Sequence, residues 1–193
     1  MQNIRTSSLD EFHTFTHNTQ APTPKMRFSI LPILFLASKV IADGQAIVDA
    51  IEKIANTTTS LNEAVGTWSG SLLTTLPILT LSNQLLLDIN SGTNTATSSA
   101  NLTLLETITI ASSTQYLVSV VQLTLVTIVA AKPKFEHLLL TPLILLNLEE
   151  EKSATDKFSA AIIEKIPADY QEIARQLVAP VDTAFDAAIA DYK

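Results

Sequence analysis

The stretch TITIASSTQYLVSVVQLTLVTIVAA (residues 107–131) decides how this chain is read. Its "TITI" and "LTLVTIV" pieces alternate and are β-branched, which local propensity assigns to strands. The apolar run is too long for a typical strand, however, and the segments around it have helical spacing. Between Tyr116 and Ala131, 12 of 16 residues are apolar, and the four polar ones share no face. The stretch is therefore read as part of a helix over about 103–131. A helix that is apolar all round is expected to be the buried, central one.

The neighbours support this. In segment one, about 44–66, Ile47, Ile51, Ile54, Thr58, Leu61 and Val65 recur at spacings of three and four, one face of a helix. "GTWSGS" then breaks the chain, with Trp68 as a core plug at the corner or a surface-binding aromatic. Segment two, about 72–90, admits Pro77 in its first turn, and Leu76, Leu79, Leu86 and Ile89 are its core candidates. "SGTNTATSSANLT" (91–103) reads as the longest loop. "KPKFEHLLL" breaks the chain again. Thr141-Pro142 has the form of an N-cap followed by proline at the first helical position. It opens segment four, about 142–166, whose stripe is Leu145, Leu148, Glu151, Thr155, Phe158, Ile162 and Ile166, with Glu151 as the interruption. Segment five follows Pro167 along Tyr170, Ile173, Leu177, Val181, Ala184, Ala188 and Tyr192, and Pro180 is expected to kink it. The fold class is all-α: a five-helix, up-and-down-type bundle with a central apolar core or cavity.

The first 42 residues have a separate logic. "MRFSILPILFLASKVIADGQ" (26–45) has a basic start at Arg27, an apolar run from Phe28 and the small-residue end Val40-Ile41-Ala42, the plan of a secretory signal peptide. Residues 1–25 are polar and aperiodic, so they are read as a disordered upstream extension, 26–42 as the signal peptide and 43–193 as a single domain. A transmembrane span is not expected from the leader, because Pro32 and Lys39 interrupt it. Without residues 1–42 the chain keeps 8 basic and 17 acidic residues. That acidity opposes nucleic acid and electrostatic attachment to an anionic membrane. The chain has no cysteine, so a disulfide scaffold is excluded. The sequons Asn56-Thr57-Thr58 and Asn101-Leu102-Thr103 are glycosylation candidates in a secreted chain.

Catalytic machinery is sparse. His137, beside Glu136, is the one histidine after residue 42, and no nucleophile elbow is present. A multi-histidine metal site cannot be assembled. Glu149, Glu150, Glu151 and Asp156 could hold a hard cation, or form a solvated acidic face. No enzyme activity, cofactor or metal is expected.

The run "AIVDAIEKIANTTTSLNEAVGTWSG", the Ser/Thr loop before segment three and the end "KFSAAIIEKIPADYQEIARQLVAPVDTAFDAAIADYK" together resemble the fungal hydrophobic surface-binding protein A and cell-wall galactomannoprotein family over about residues 43–193. The resemblance implies a secreted helical bundle, extracellular or cell-wall associated. It would bind hydrophobic surfaces, recruit a polyester-degrading hydrolase, or enclose a fatty acid or similar apolar molecule. The chain departs from members that end in a Ser/Thr stalk and lipid-anchor signal, so a freely secreted protein is expected. Two alternatives stay open: a regulator of a secreted hydrolase, against which the lack of cysteine counts, and a self-filled structural bundle. For a ligand, the candidate apolar wall is Leu61, Leu117, Val121, Leu125, Phe158, Ile162 and Leu177. The candidate head-group contacts are Thr58, Gln115 and Tyr116, although Thr58 could bond back to its own helix and Gln115 could face water.

Overall fold

The computed structural model describes the backbone over residues 31–193 and side chains from Asp43 onward. The upstream extension expected for 1–25 lies outside the described residues, as do the side chains of the leader at 26–42. Five helices follow one another: α1 (Leu31–Gly66), α2 (Leu76–Ser98), α3 (Leu104–His137), α4 (Thr141–Lys165) and α5 (Ala168–Tyr192), with a 3₁₀ turn over Leu72–Thr75 leading into α2. No strand occurs among the described residues. The β-branched stretch 107–131 is helical, because a capping box starts it and tertiary burial sustains it. Thr103 accepts from the Glu106 N–H while the Glu106 carboxylate accepts from the Thr103 N–H at 2.8 Å.

Successive helices alternate in direction and close into a ring. α1 packs on α2 and α3, α2 on α4, α4 on α5, and α5 on α3. This corrects the expected role of α3. It is one stave of five, not a hub, and it leaves Leu105, Ile108, Tyr116, Leu123 and Val126 exposed. Its all-round apolarity does not mean all-round burial. By length and composition, Leu72–Ser98 and Leu104–His137 are each apolar enough to cross a membrane. In the bundle, each carries buried polar groups bonded to neighbours, including Asp88 and Thr124.

Four boundaries differ from the sequence reading. α1 begins at Leu31 instead of near residue 44. Residues 91–98 extend α2 instead of forming a loop. The hydroxyls of Thr93, Thr95, Thr97 and Ser98 bond to carbonyls four residues back, so the polar run satisfies itself within the helix. Buried Gly92 and Ala96 face the core there. The expected break at Lys132-Pro133 is absent, since α3 continues to His137 and buries Phe135. The Phe135 ring stacks on Trp68, with centroids 4.4 Å apart, and Trp68 is a buried corner plug. Thr141 does not cap α4: Leu140 holds that position, with no side-chain bond. Along α2 the buried set is Ile78, Ser82, Leu85, Asp88, Ile89, Gly92 and Ala96. Of the four expected core residues only Ile89 is fully buried, and Leu76 is exposed.

α3 ends in a Schellman motif. The Leu140 N–H donates to the Phe135 carbonyl at 2.9 Å, and the Leu139 N–H to the Glu136 carbonyl at 2.9 Å. Leu139 itself sits at φ +58, where glycine is usual, and its side chain is 87% exposed.

Candidate functional site

The ring encloses apolar space to which all five helices contribute. Ile54, Thr58 and Leu61 come from α1, and Leu85 and Ile89 from α2. Leu117, Val121, Thr124 and Leu125 come from α3, Thr155 and Phe158 from α4, and Phe185 from α5. The void between them is about 30 Å³. A second void of about 20 Å³ lies toward the Trp68 end, against Val65, Ile78, Ser82, Phe135 and Leu148. Each is near the volume of one water molecule, so the side chains nearly fill the centre.

A larger apolar groove opens at the other end. It holds about 370 Å³ between Thr107, Ile108, Ile110 and Thr114 of α3, Ile162 and Ile166 of α4, and Tyr170, Ile173 and Leu177 of α5. That volume falls in the range of small-molecule sites. Phe158 lines the central void, while Ile162, one turn further along α4, lines the groove. A single helical turn therefore separates the two spaces.

The seven candidate wall residues divide accordingly. Leu61, Leu117, Val121, Leu125 and Phe158 line the centre, and Ile162 and Leu177 line the groove. Of the candidate head-group contacts, Thr58 faces the central void, but its hydroxyl donates to the Ile54 carbonyl at 2.7 Å. Gln115 and Tyr116 point away. Both are exposed, and Tyr116 lies on an outer depression with Glu52 and Asn56. The α3 register that brings Leu117 and Val121 inward turns their predecessors outward, which removes these two from the site. The sequon residues Asn56 and Asn101 are exposed, as is His137.

The polar centre of the bundle is a residue the sequence marked as an interruption. Glu151 borders both internal voids and is buried. Ser82 of α2 donates to its Oε1 at 2.7 Å. No lysine, arginine or histidine lines either void. Burial pushes the Glu151 carboxyl up to about 7, against the lowering effect of the Ser82 bond, and the nearby Glu150 charge adds to the rise. Glu149, Glu150 and Asp156 stay exposed, so the four acids share no face.

Asp88, also buried, has the opposite environment. Burial alone would raise its carboxyl, but Lys53 at 2.9 Å, Thr57 at 2.8 Å and Gln84 at 2.7 Å hold it below the usual value. It ties α2 to α1 as an anion, whereas Glu151 lacks a cation among its described neighbours. The sequence flagged Glu151 as a misfit in the α4 stripe and as one of four candidate cation-binding acids, not as a buried polar centre. Ser82 carried no signal, since an isolated serine in a Leu-rich run looks solvent-facing.

A family model described as hydrophobic surface binding protein A matches residues 44–164. The chain belongs to the hydrophobic surface binding protein A family. Within that frame it is 28% identical over 174 residues to cell wall mannoprotein 1 of Aspergillus flavus, covering 87% of this chain and 63% of that one. It is 28% identical to cell wall mannoprotein 1 of Aspergillus fumigatus, covering 61% of that protein. This family member thus spans about three-fifths of the length of both relatives. Among solved structures, it is similar to Afmp4p in complex with palmitic acid, with TM-score 0.76 and 24% identity over 78% of this chain and 99% of that one. It is also similar to ligand binding domain 1 of the Penicillium marneffei MP1 protein complexed with arachidonic acids, with TM-score 0.75 and 17% identity over 78% and 99% of the two chains. At these identities the structural matches establish the shared helical fold.

Proposed function

We propose that the protein is a secreted, non-catalytic carrier of long-chain fatty acids or similarly apolar molecules. The observation that carries this reading is the apolar groove of about 370 Å³, which stops one helical turn short of a central void walled by all five helices. The fatty-acid complexes of two proteins with this fold support it. The acyl chain occupies the groove and reaches the centre once Phe158 and its neighbours move apart. An acyl chain of about 14 methylenes offers roughly 11 kcal/mol gross at about 0.8 kcal/mol each. Lost translational and chain freedom takes back several kcal/mol, so micromolar binding needs only apolar contacts. The wall residues are those named above, split between the two spaces. In this reading residues 1–25 are an upstream extension, 26–42 are a cleaved leader, and Asn56 and Asn101 carry glycans on the outer surface of an extracellular, cell-wall-associated protein. The test is organic extraction of the secreted protein followed by mass spectrometry. Co-purified fatty acid is expected, together with an N-terminus near Asp43. A delipidated protein that binds no fatty acid and no apolar surface would overturn the proposal.

A second reading, adsorption to an apolar surface with recruitment of a secreted hydrolase, is favoured by the leucines of the helix corners. Leu72, Leu73, Leu76 and Leu139 are 62%, 82%, 64% and 87% exposed. Retention on polystyrene by the wild type, lost on Leu73→Ser with Leu139→Ser, is the expected result.

A further inference from the structure

Glu151 is an unusual residue to find at the centre of a lipid-binding bundle. It sits on α4 between the two internal voids, and Ser82 is its hydrogen-bond donor among the described residues. The residues lining those voids from the other helices include Leu61 and Thr58 of α1, Ser82 of α2, Ile128 and Thr124 of α3 and Phe185 of α5. None of these is charged, and Glu150 on α4 itself is the one titratable group acting on it. An ionised ligand carboxylate brought here would meet a second carboxyl with no cation to compensate, in a space where like charges repel strongly. An O–H group would meet the reverse: a carboxyl oxygen to accept its proton and a serine hydroxyl to complete the pair.

We propose that Glu151 and Ser82 form the head-group site of this bundle, and that the site takes an uncharged O–H group at the end of an apolar chain and rejects an ionised carboxylate. The proposal rests on the lipid-carrier reading and specifies its ligand. The neutral O–H comes from a long-chain alcohol or from a fatty acid in its protonated form, and the two sources are separable. Ile162, at the inner edge of the groove, lies about 16 Å from Glu151 along α4 at 1.5 Å per residue. A twelve-carbon chain is of comparable length, so with its head group at Glu151 it runs along the central void and its tail ends near the inner edge of the groove, which longer chains enter.

The test is calorimetric titration of the delipidated full-length protein and its Glu151→Gln variant with dodecanol and dodecanoate at pH 5.5 and pH 8. Wild type is expected to bind dodecanol at both pH values, and dodecanoate at least tenfold more tightly at pH 5.5. Glu151→Gln, whose amide can donate to a carboxylate, should gain at least fivefold in dodecanoate affinity at pH 8. Dodecanoate binding that is as tight at pH 8 as at pH 5.5, or unchanged by Glu151→Gln, would overturn the head-group assignment and leave the carrier reading standing. Failure of both probes to bind wild type at either pH would overturn the carrier reading itself. If Glu151→Gln does not fold, Ser82→Ala replaces it, with loss of dodecanol affinity as the expected result and unchanged affinity as the refuting one.

Discussion

The ring of Phe158 lies against Gly92, so closely that a methyl group built on Gly92 would come within 2.9 Å of Phe158 Cε2 and 3.3 Å of Ile54 Cδ1. Three helices meet at this point, beside the central void. An alanine in a helix normally gains about 1 kcal/mol over glycine. Overpacking here costs about 1–3 kcal/mol, so Gly92→Ala is expected to lower stability by about 1 kcal/mol net in urea unfolding. A more stable variant would mean that the Phe158 ring moves readily into the void, as ligand entry requires.

Glu151 predicts how stability depends on pH. Its folded value of about 7 lies above the reference value of 4.5, so the folded state holds a proton that the unfolded chain releases first. Stability therefore falls as pH rises from about 4.5 through 7 and then levels off. Glu151→Gln removes this dependence. The stability gap between the variant and wild type should move in the variant's favour by about 3 kcal/mol from pH 4 to pH 8. Parallel pH profiles would show that the carboxyl is hydrated in solution.

Leu139 pairs a strained backbone with an exposed side chain. A left-handed conformation costs a non-glycine residue about 1–2 kcal/mol, and the side chain recovers little because 87% of it is exposed. Leu139→Gly should raise stability by about 0.5–1 kcal/mol, read from the denaturation midpoint. If corner leucines mediate adsorption, the same variant binds polystyrene less well while being more stable.

Ile173 tests the groove without disturbing the core. It lines the groove yet is 63% exposed, so Ile173→Glu should change stability by less than about 0.5 kcal/mol. It should weaken fatty-acid binding severalfold by placing a charge beside the acyl chain. Unchanged binding would move the ligand out of the groove.

The bundle was legible wherever burial follows a simple stripe. The α1 face from Ile47 to Val65 is buried along its whole length, and the helical reading of 107–131 holds. Legibility failed where polar or small residues form the inner face. Ser82, Asp88, Gly92 and Glu151 are buried through partners on other helices, and no periodicity in one segment reports a partner elsewhere. α3 misled in the opposite sense, because its apolarity exceeds what its two neighbours can cover. Gln115 and Tyr116 were misplaced by rotation: one residue on a helix is about 100°, enough to exchange inside for outside.

α5 is anchored along only half its length. Its fully buried residues, Val181, Phe185, Ala188, Ile189 and Tyr192, all follow Pro180, and Tyr192 is fastened by a 2.8 Å bond from its hydroxyl to the Ile128 carbonyl. Before the proline, Ile173 leans over the groove largely exposed and Tyr170 partly so. Pro180 has no N–H to give the Gln176 carbonyl. The helix is thus a lever with a fixed arm and a free arm, and its fulcrum is where the backbone ladder lacks a rung. Amide exchange should be much faster over 169–179 than over 181–192, and a bound acyl chain should slow the free arm selectively. Equal protection on both sides of Pro180 would make α5 a rigid stave and place the entrance at another seam.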